Sequence, residues 1–122
     1  MNLLAAAVAA VAVGSWVSVP GGSWSPTNDQ IASLRAEIEP FVKSQASERG
    51  LELKKWSSYS FQYQGQVESG RNVVFVNAFC IVPPSYTSER FVLVLDGGPC
   101  YFQAKYDPLA KHFIHLAFNG VA

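Results

Sequence analysis

The chain has 122 residues, of which 49% are apolar and 15% are charged, and its formal net charge is zero. This length and composition fit one domain with a packed core and exclude a disordered chain. They also exclude the basic face that nucleic-acid binding requires, since no Lys/Arg cluster is longer than the pair Lys54 and Lys55.

Apart from Asn2, the first 13 residues form an apolar run rich in Ala and Val. The run is too short to span a bilayer, which needs about 20 residues, and it is typical of a secretory signal. Because small residues follow, residues 1–14 are predicted to be a signal peptide, and the mature chain is expected to be secreted or periplasmic, without a membrane span. No Lys or Arg precedes the run, so the signal is atypical or the true start lies upstream. A buried N-terminal helix is the alternative interpretation.

Residues 15–26 are rich in Gly, Pro and Ser, and they predict an extended, mobile arm. Trp24 in this arm is a candidate anchor for a protein partner, because exposed aromatic side chains are enriched in binding hot spots. In the alternative, its ring folds back onto the sheet.

A helix is predicted to begin at Thr27, because Thr27 and Gln30 have the spacing of a capping box. Gly50 is the predicted terminator. Between these two ends, apolar residues recur at intervals of three or four and form one stripe along the helix. The stripe consists of Ile31, Leu34, Ile38 and Phe41.

After Gly50 the apolar period changes to two, which indicates strands. The first strand leads into a turn at residues 67–70, and a second strand, apolar on both faces, covers residues 71–80. A turn centred between Glu68 and Ser69 gives three opposed pairs: Tyr63 with Val74, Phe61 with Val76, and Tyr59 with Ala78. These six side chains and Cys80 form the predicted core face. A third strand is predicted at residues 100–106 and a fourth at residues 112–118. The fourth strand should present Ile114, Leu116 and Phe118 on one face.

The two cysteines, Cys80 and Cys100, constrain the order of the strands. An even cysteine count in an exported chain indicates a disulfide. A regular strand at residues 91–95 inserted between the second and third strands would separate the cysteines by roughly 10 Å, whereas a disulfide needs Cα atoms within about 7 Å. Residues 81–99 are therefore predicted to be an excursion, with residues 91–95 as an edge strand or flap. The predicted fold is α+β, a single helix packed on a curved antiparallel sheet of four to five strands, formed by residues 27–122.

The arm with Gly21 and Gly22, the helix and the turn from Gln66 to Gly70 together resemble the cystatins, which inhibit papain-like cysteine proteases. The resemblance covers residues 20–80 and implies one helix wrapped by a curved antiparallel sheet. It also implies that the glycine arm and two hairpins form a wedge at one end of the sheet. Glu68 stands where the family has valine, and the turn at residues 107–109 lacks the family's tryptophan. The predicted partner-binding residues, Trp24 among them, are Gly21, Gly22, Trp24, Gln66, Val67, Glu68, Ser69, Gly70, Pro108 and Leu109.

Residues 96–102 and 105–108 also resemble small exported bacterial proteins of unassigned function, which implies no activity. The leading hypothesis is a non-catalytic binding domain with a protein partner. The alternatives are an inhibitor of cysteine proteases and a small-molecule enzyme of the cone-shaped α+β type, although a cone generally needs several helices.

No cofactor or metal is predicted. His112 and His115 lie three apart on a strand and so point to opposite faces. A Cys–His nucleophile pair would need a free thiol. The sequence contains no HExxH, Gly-x-Ser-x-Gly or glycine-rich phosphate motif.

Overall fold

A computed structural model of the chain describes residues 14–120. These residues form one α-helix, α1, and five strands, β1 to β5. In chain order the bounds are Trp16–Ser18 for β1, Asn28–Glu48 for α1, Ser60–Glu68 for β2, Arg71–Phe79 for β3, Tyr101–Asp107 for β4 and His112–Phe118 for β5. The signal peptide predicted for residues 1–14 lies, apart from its last residue, outside the described residues.

Helix α1 begins and ends where the sequence predicts. The hydroxyl of Thr27 accepts the backbone N–H of Gln30, and the Gln30 side chain accepts the N–H of Thr27. At the other end Gly50 has a φ of +68°, and the N–H of Leu51 donates to the carbonyl of Ala46. This is the long-range bond of a Schellman motif, in which glycine adopts the left-handed conformation without a Cβ penalty. The predicted capping box and glycine terminator are confirmed.

The five strands form one sheet in the order β1-β2-β3-β4-β5. All neighbours are antiparallel except β1 and β2, which are parallel because the chain crosses over through α1 between them. One helix packed with a five-stranded, mostly antiparallel sheet confirms the predicted α+β class. The arm predicted for residues 15–26 lies along β2, since β1 belongs to this arm and Trp24 forms a bridge to Gly65.

The core lies between α1 and one face of the sheet. Leu34 and Ile38 of the predicted helix stripe are fully buried, and Ile31 and Phe41 are partly buried against them. The helix also buries Val42 and Ala46. The sheet contributes Tyr59, Phe61, Val74, Val76, Ala78, Phe102, Ala104, Tyr106 and Leu116. The alternation of β2 and β3 therefore identified the buried face.

The register of β2 and β3 differs from the prediction by two residues. Phe61 lies opposite Ala78, because the turn is centred between Ser69 and Gly70, which have φ values of 52° and 76°. Two central residues with positive φ are typical of the type I′ hairpin turn. The predicted pairs of Tyr63 with Val74, Phe61 with Val76 and Tyr59 with Ala78 are therefore wrong. The predicted core face is retained, since a displacement of two residues leaves each side chain on its face.

A β-bulge in β5 changes which of its residues reach the core. Lys105 pairs with His115 and Tyr106 pairs with Phe113, which leaves Ile114 without a partner in the ladder. Phe113 packs against the core, whereas Ile114 is exposed. The prediction that Ile114 lies on the core face is wrong, because a bulge inserts one residue and reverses the alternation beyond it.

The disulfide between Cys80 and Cys100 is confirmed, with Cα atoms 5.1 Å apart. Strand β3 pairs directly with β4, and residues 81–99 form an excursion, here named the disulfide loop. Residues 91–95 form no regular strand in it. The predicted order of the strands around the cysteines is therefore correct.

The disulfide loop is held on the face of the sheet opposite the helix by side-chain amides. Gln62 accepts the N–H of Val92 at 2.8 Å and donates to the carbonyl of Arg90 at 2.9 Å, while Asn77 donates to the carbonyl of Val92 at 2.9 Å. Further along, the amide of Asn119 donates to the Val94 carbonyl. The amide row, as we name this set, consists of Gln62, Asn77, Gln103 and Asn119. Each member is hydrogen-bonded to its neighbour in the row.

Candidate functional site

The candidate site is the end of the sheet that carries the β2–β3 turn, the β4–β5 turn and residues 19–24, here named the hairpin end. Its first component is the two-residue turn of Ser69 and Gly70. A Cβ added at Gly70 would meet nothing within 4 Å, so the requirement for glycine there comes from the positive φ alone. The ends of this turn are charged residues, Glu68 and Arg71.

The second component is residues 19–24, here named the N-terminal segment, which contacts β2 closely. The N–H of Val19 donates to the Tyr63 carbonyl, and the N–H of Ser23 donates to the Gly65 carbonyl, both at 2.9 Å. A Cβ on Gly22 would lie 2.7 Å from the Gly65 oxygen. Glycine is therefore required at position 22 for packing within the molecule.

The side chain of Trp24 folds back onto the sheet. Its indole N–H donates to the carbonyls of Gln66 and Val73, at 2.9 and 3.1 Å, and its ring remains partly exposed. A Cβ on Gly65 would lie 2.2 Å from the Trp24 carbonyl oxygen, so the two backbones approach too closely for any other residue at position 65. Of the two alternatives for Trp24, the structure shows the folded-back one.

The third component is the β4–β5 turn, which Asp107 organises. One Asp107 carboxylate oxygen accepts the backbone N–H groups of Leu109 and Ala110, at 2.9 and 3.0 Å, and the other lies 3.4 Å from the guanidinium of Arg71. The hydrogen bond from Ala110, assisted by the one from Leu109 and by the charge of Arg71, lowers the pKa of Asp107 although burial opposes it. The charged carboxylate therefore fixes this turn and links it to the start of β3.

Exposed apolar side chains lie in the β4–β5 turn and at the end of β2. The side chain of Leu109 is 87% exposed and that of Val67 is 52% exposed, whereas most large apolar side chains of the sheet are buried. Leu109 lines a cleft of about 470 Å³, and Val67 lies opposite Asn72, which also lines it. The residues that line the cleft are Trp24, Gln30, Gly70, Arg71, Asn72, Asp107, Pro108 and Leu109.

The structure brings most of the predicted partner-binding residues to the hairpin end, but their roles differ. Leu109 and Val67 are exposed, while Pro108 is buried and Gly22 contacts β2. Glu68 is paired with Lys105 at 2.9 Å, which holds its charge against the outer face of the sheet.

Four residues of the cleft were missed by the sequence reasoning: Gln30, Arg71, Asn72 and Asp107. Gln30 had been assigned only to the helix cap. Asp107 is the first residue of the turn predicted at residues 107–109. Asp is favoured there because its side chain bonds the following backbone, so this signal could have found it.

A second exposed apolar region lies on the disulfide loop. Leu93 and Leu95 are 85% and 88% exposed. Eight residues between positions 83 and 93, Leu93 among them, line a separate cavity of about 340 Å³. Phe91 packs edge-on against Phe75 of the sheet, with ring centres 5.1 Å apart. This region provides an internal comparison for tests of the hairpin end.

Within residues 14–120, no group of three or more His, Cys, Asp or Glu side chains is arranged to hold a metal ion. The same residues include no helix with the length and apolar character needed to cross a membrane. Comparisons of the chain with protein-family models, with curated proteins and with solved structures found no match.

Proposed function

We propose that this chain is an exported, non-catalytic domain that binds a protein partner through the hairpin end. The observation that carries the proposal is the cleft bordered by the two turns, which the exposed Leu109 lines. A second exposed apolar side chain, Val67, lies beside it, opposite the cleft residue Asn72. Protein interfaces commonly combine an apolar centre with a polar rim, and here Arg71 and Asp107 border the apolar residues.

The rigidity of the hairpin end supports a binding role. Asp107 bonds two amides of its own turn, and Trp24 bonds two carbonyls of the β2–β3 hairpin. A surface whose turns are already fixed loses less conformational entropy on docking, so more of the contact energy remains as affinity.

The core supports binding over the cone-shaped enzyme alternative. Tyr59, Phe61 and Phe102 fill the space between the helix and the sheet, with ring centres 5.3 to 6.4 Å apart for Phe102 and its two neighbours. A cone-type enzyme needs a deep pocket in that position. Export is supported by the disulfide, because such bonds persist in oxidising compartments.

Inhibition of a papain-like cysteine protease is a second, more specific candidate. The observation that favours it is the position of residues 19–24 and the two turns at one end of the sheet, as the cystatin resemblance implies for a wedge. Gly22 and Trp24 contact the chain's own sheet, so such a wedge would present mainly the two turns to a cleft.

The experiment compares binding by wild-type protein and two double variants. V67S/L109S removes the apolar contacts of the hairpin end, and L93S/L95S removes two equally exposed leucines of the disulfide loop. A partner identified by cross-linking at residue 109 in a native envelope extract is purified, and its Kd is measured for each protein. We expect V67S/L109S to bind at least about tenfold more weakly, because central apolar anchors each contribute more than about 1 kcal/mol.

L93S/L95S should bind like wild type, and a loss confined to this variant would move the site to the disulfide loop. Titration of a papain-like protease with the same three proteins tests the second candidate. Inhibition by wild type that V67S/L109S weakens would support it. Absence of inhibition at micromolar concentration would remove it and leave the binding proposal intact.

A further inference from the structure

Strand β5 is an edge of the sheet and exposes one side of its backbone. It is last in the strand order, and its seven residues, His112–Phe118, include no Lys, Arg, Asp, Glu or Pro. Edge strands of this kind can accept another strand, and proteins usually prevent this with charges, prolines, bulges or short length. The bulge of β5 lies at Ile114, which leaves the regular part beyond it available.

The outward-facing backbone groups follow from the register of β4 and β5. The N–H of Asn119 donates to the carbonyl of Tyr101, so residues 117 and 115 also bond to β4 in the antiparallel alternation. The backbone groups of Leu116 and Phe118 therefore face away from β4, toward the free edge.

One side chain occupies this edge. Arg49, the residue after the end of α1, donates from its guanidinium to the Leu116 carbonyl at 3.1 Å, and its guanidinium carbon lies 5.5 Å from the centre of the Phe118 ring. The same guanidinium also donates a hydrogen bond to the side-chain oxygen of Gln45, at 3.2 Å. None of the three ion pairs found among residues 14–120 includes Arg49. The edge thus carries a positive charge that forms no ion pair with a carboxylate of residues 14–120.

We propose that the β5 edge is a pairing surface for a second copy of this chain and that Arg49 keeps it closed. Antiparallel pairing of β5 with its own copy is self-complementary, because one strand without Lys, Arg, Asp or Glu supplies both halves of a two-fold interface. In such a dimer each Arg49 would have to leave its Leu116 carbonyl, and two positive charges would meet at one junction. The opposite edge is β1, which has only three residues and so offers little to a second strand.

The test is the variant Arg49→Met, studied by sedimentation velocity over a micromolar to millimolar concentration range. Methionine keeps an unbranched stem over Phe118 and removes the charge and the hydrogen bond. Wild type should remain monomeric, and R49M should dimerise at least about 100-fold more strongly, because close like charges weaken association strongly. Arg90→Met is the matched control, since it removes the same charge from the exposed disulfide loop, and it should remain monomeric.

Two further measurements locate the contact. Hydrogen exchange should show protection of the Leu116 and Phe118 amides in the R49M dimer relative to wild type. Adding Ala117→Lys to R49M should restore the monomer, because the lysines of two copies would meet at the junction. Three results would each overturn the proposal. They are a folded R49M that stays monomeric, a wild-type protein already paired through β5, and an R49M dimer that persists after A117K is added. If R49M is unfolded, the hydrogen-exchange and sedimentation measurements are made on Arg49→Gln, with the same outcomes decisive.

Discussion

At the scale of single residues, Tyr106 illustrates how burial and a neighbouring charge act together. Its side chain is 1% exposed, and its hydroxyl donates to a carboxylate oxygen of Glu37 on α1 at 3.2 Å. Burial first, and then the negative charge of Glu37, raise the pKa of Tyr106 to about 12 from an ordinary value of 10.0. Ionisation of Tyr106 in the folded protein would place two negative charges together beneath the helix.

This contact predicts a defined response to alkali. Because the folded-state pKa of Tyr106 lies above the unfolded value, the folded chain holds the proton more tightly, and stability must fall as the pH rises from 10 to 12. Tyr106→Phe should lower the free energy of unfolding by about 1.5 kcal/mol at neutral pH, through loss of a hydrogen bond to a charged group. It should also reduce the fall in stability between pH 10 and pH 12.

Urea unfolding at a series of pH values measures both effects. Tyr101→Phe serves as the control, because it removes a hydroxyl remote from Glu37. An alkaline slope identical in wild type and Y106F would contradict the assignment of this titration to Tyr106.

At the scale of elements, the amide row determines the position of the disulfide loop. Gln62 is fully buried and bonds the loop at Arg90 and at Val92. A strand would have held the loop by backbone pairing. Here the side chains of Gln62 from β2, Asn77 from β3 and Asn119 provide the hydrogen bonds instead.

Removal of the amide at position 62 should therefore release the loop. Gln62→Leu has similar volume, but it leaves the N–H of Val92 and an amide hydrogen of Asn77 without an acceptor. We expect a loss of about 1 to 3 kcal/mol in the free energy of unfolding. Cleavage of residues 81–99 in limited proteolysis should become faster.

Gln64→Leu, on the same face of β2 but bonded to the N-terminal segment, is the control. It should leave cleavage within the loop unchanged. Equal protection of the loop in wild type and Q62L would show that the row does not hold it.

The elements differ in how far the sequence predicts them. Helix α1 was predictable at both ends because its caps are local, Thr27 with Gln30 and then Gly50. The predicted register of β2 against β3 was displaced by two residues, because two turn positions fit the apolar alternation equally well. Only the positive φ of Ser69 and Gly70 decides between them. The bulge at Ile114 depends on pairing with β4, which is a nonlocal property.

At the scale of the whole molecule, the disulfide and the hairpin end lie at opposite ends of the sheet. The strand order predicted from the two cysteines is correct, because the short Cα–Cα distance of a disulfide excludes a strand between β3 and β4. The cleft was only partly predictable, since Trp24 and Leu109 are among the predicted partner-binding residues while Arg71 and Asp107 are not. Their contact is between residues distant in sequence, and no local pattern signals it.

The disulfide should contribute to global stability through the unfolded state. Closing a loop of about 20 residues stabilises by roughly 3 kcal/mol in the chain-entropy description. Cys80→Ala with Cys100→Ala should lower the free energy of unfolding in urea by this amount. Wild type in reducing conditions provides the comparison that keeps both sulfurs, and equal stability of the oxidised and reduced proteins would contradict the estimate.

The amide row contacts residues 90–96 through backbone atoms, at the carbonyls of Arg90, Val92, Val94 and Asp96 and the N–H of Val92. Because these hydrogen bonds go to backbone atoms, they do not depend on the identity of most side chains in the segment. The side chains of Leu93 and Leu95 face solvent. Proline is excluded at position 92, where the N–H is used. Positions 93 and 95 are thus open to replacement by other residues, so the molecule has a site at which sequence can diversify while the scaffold stays the same.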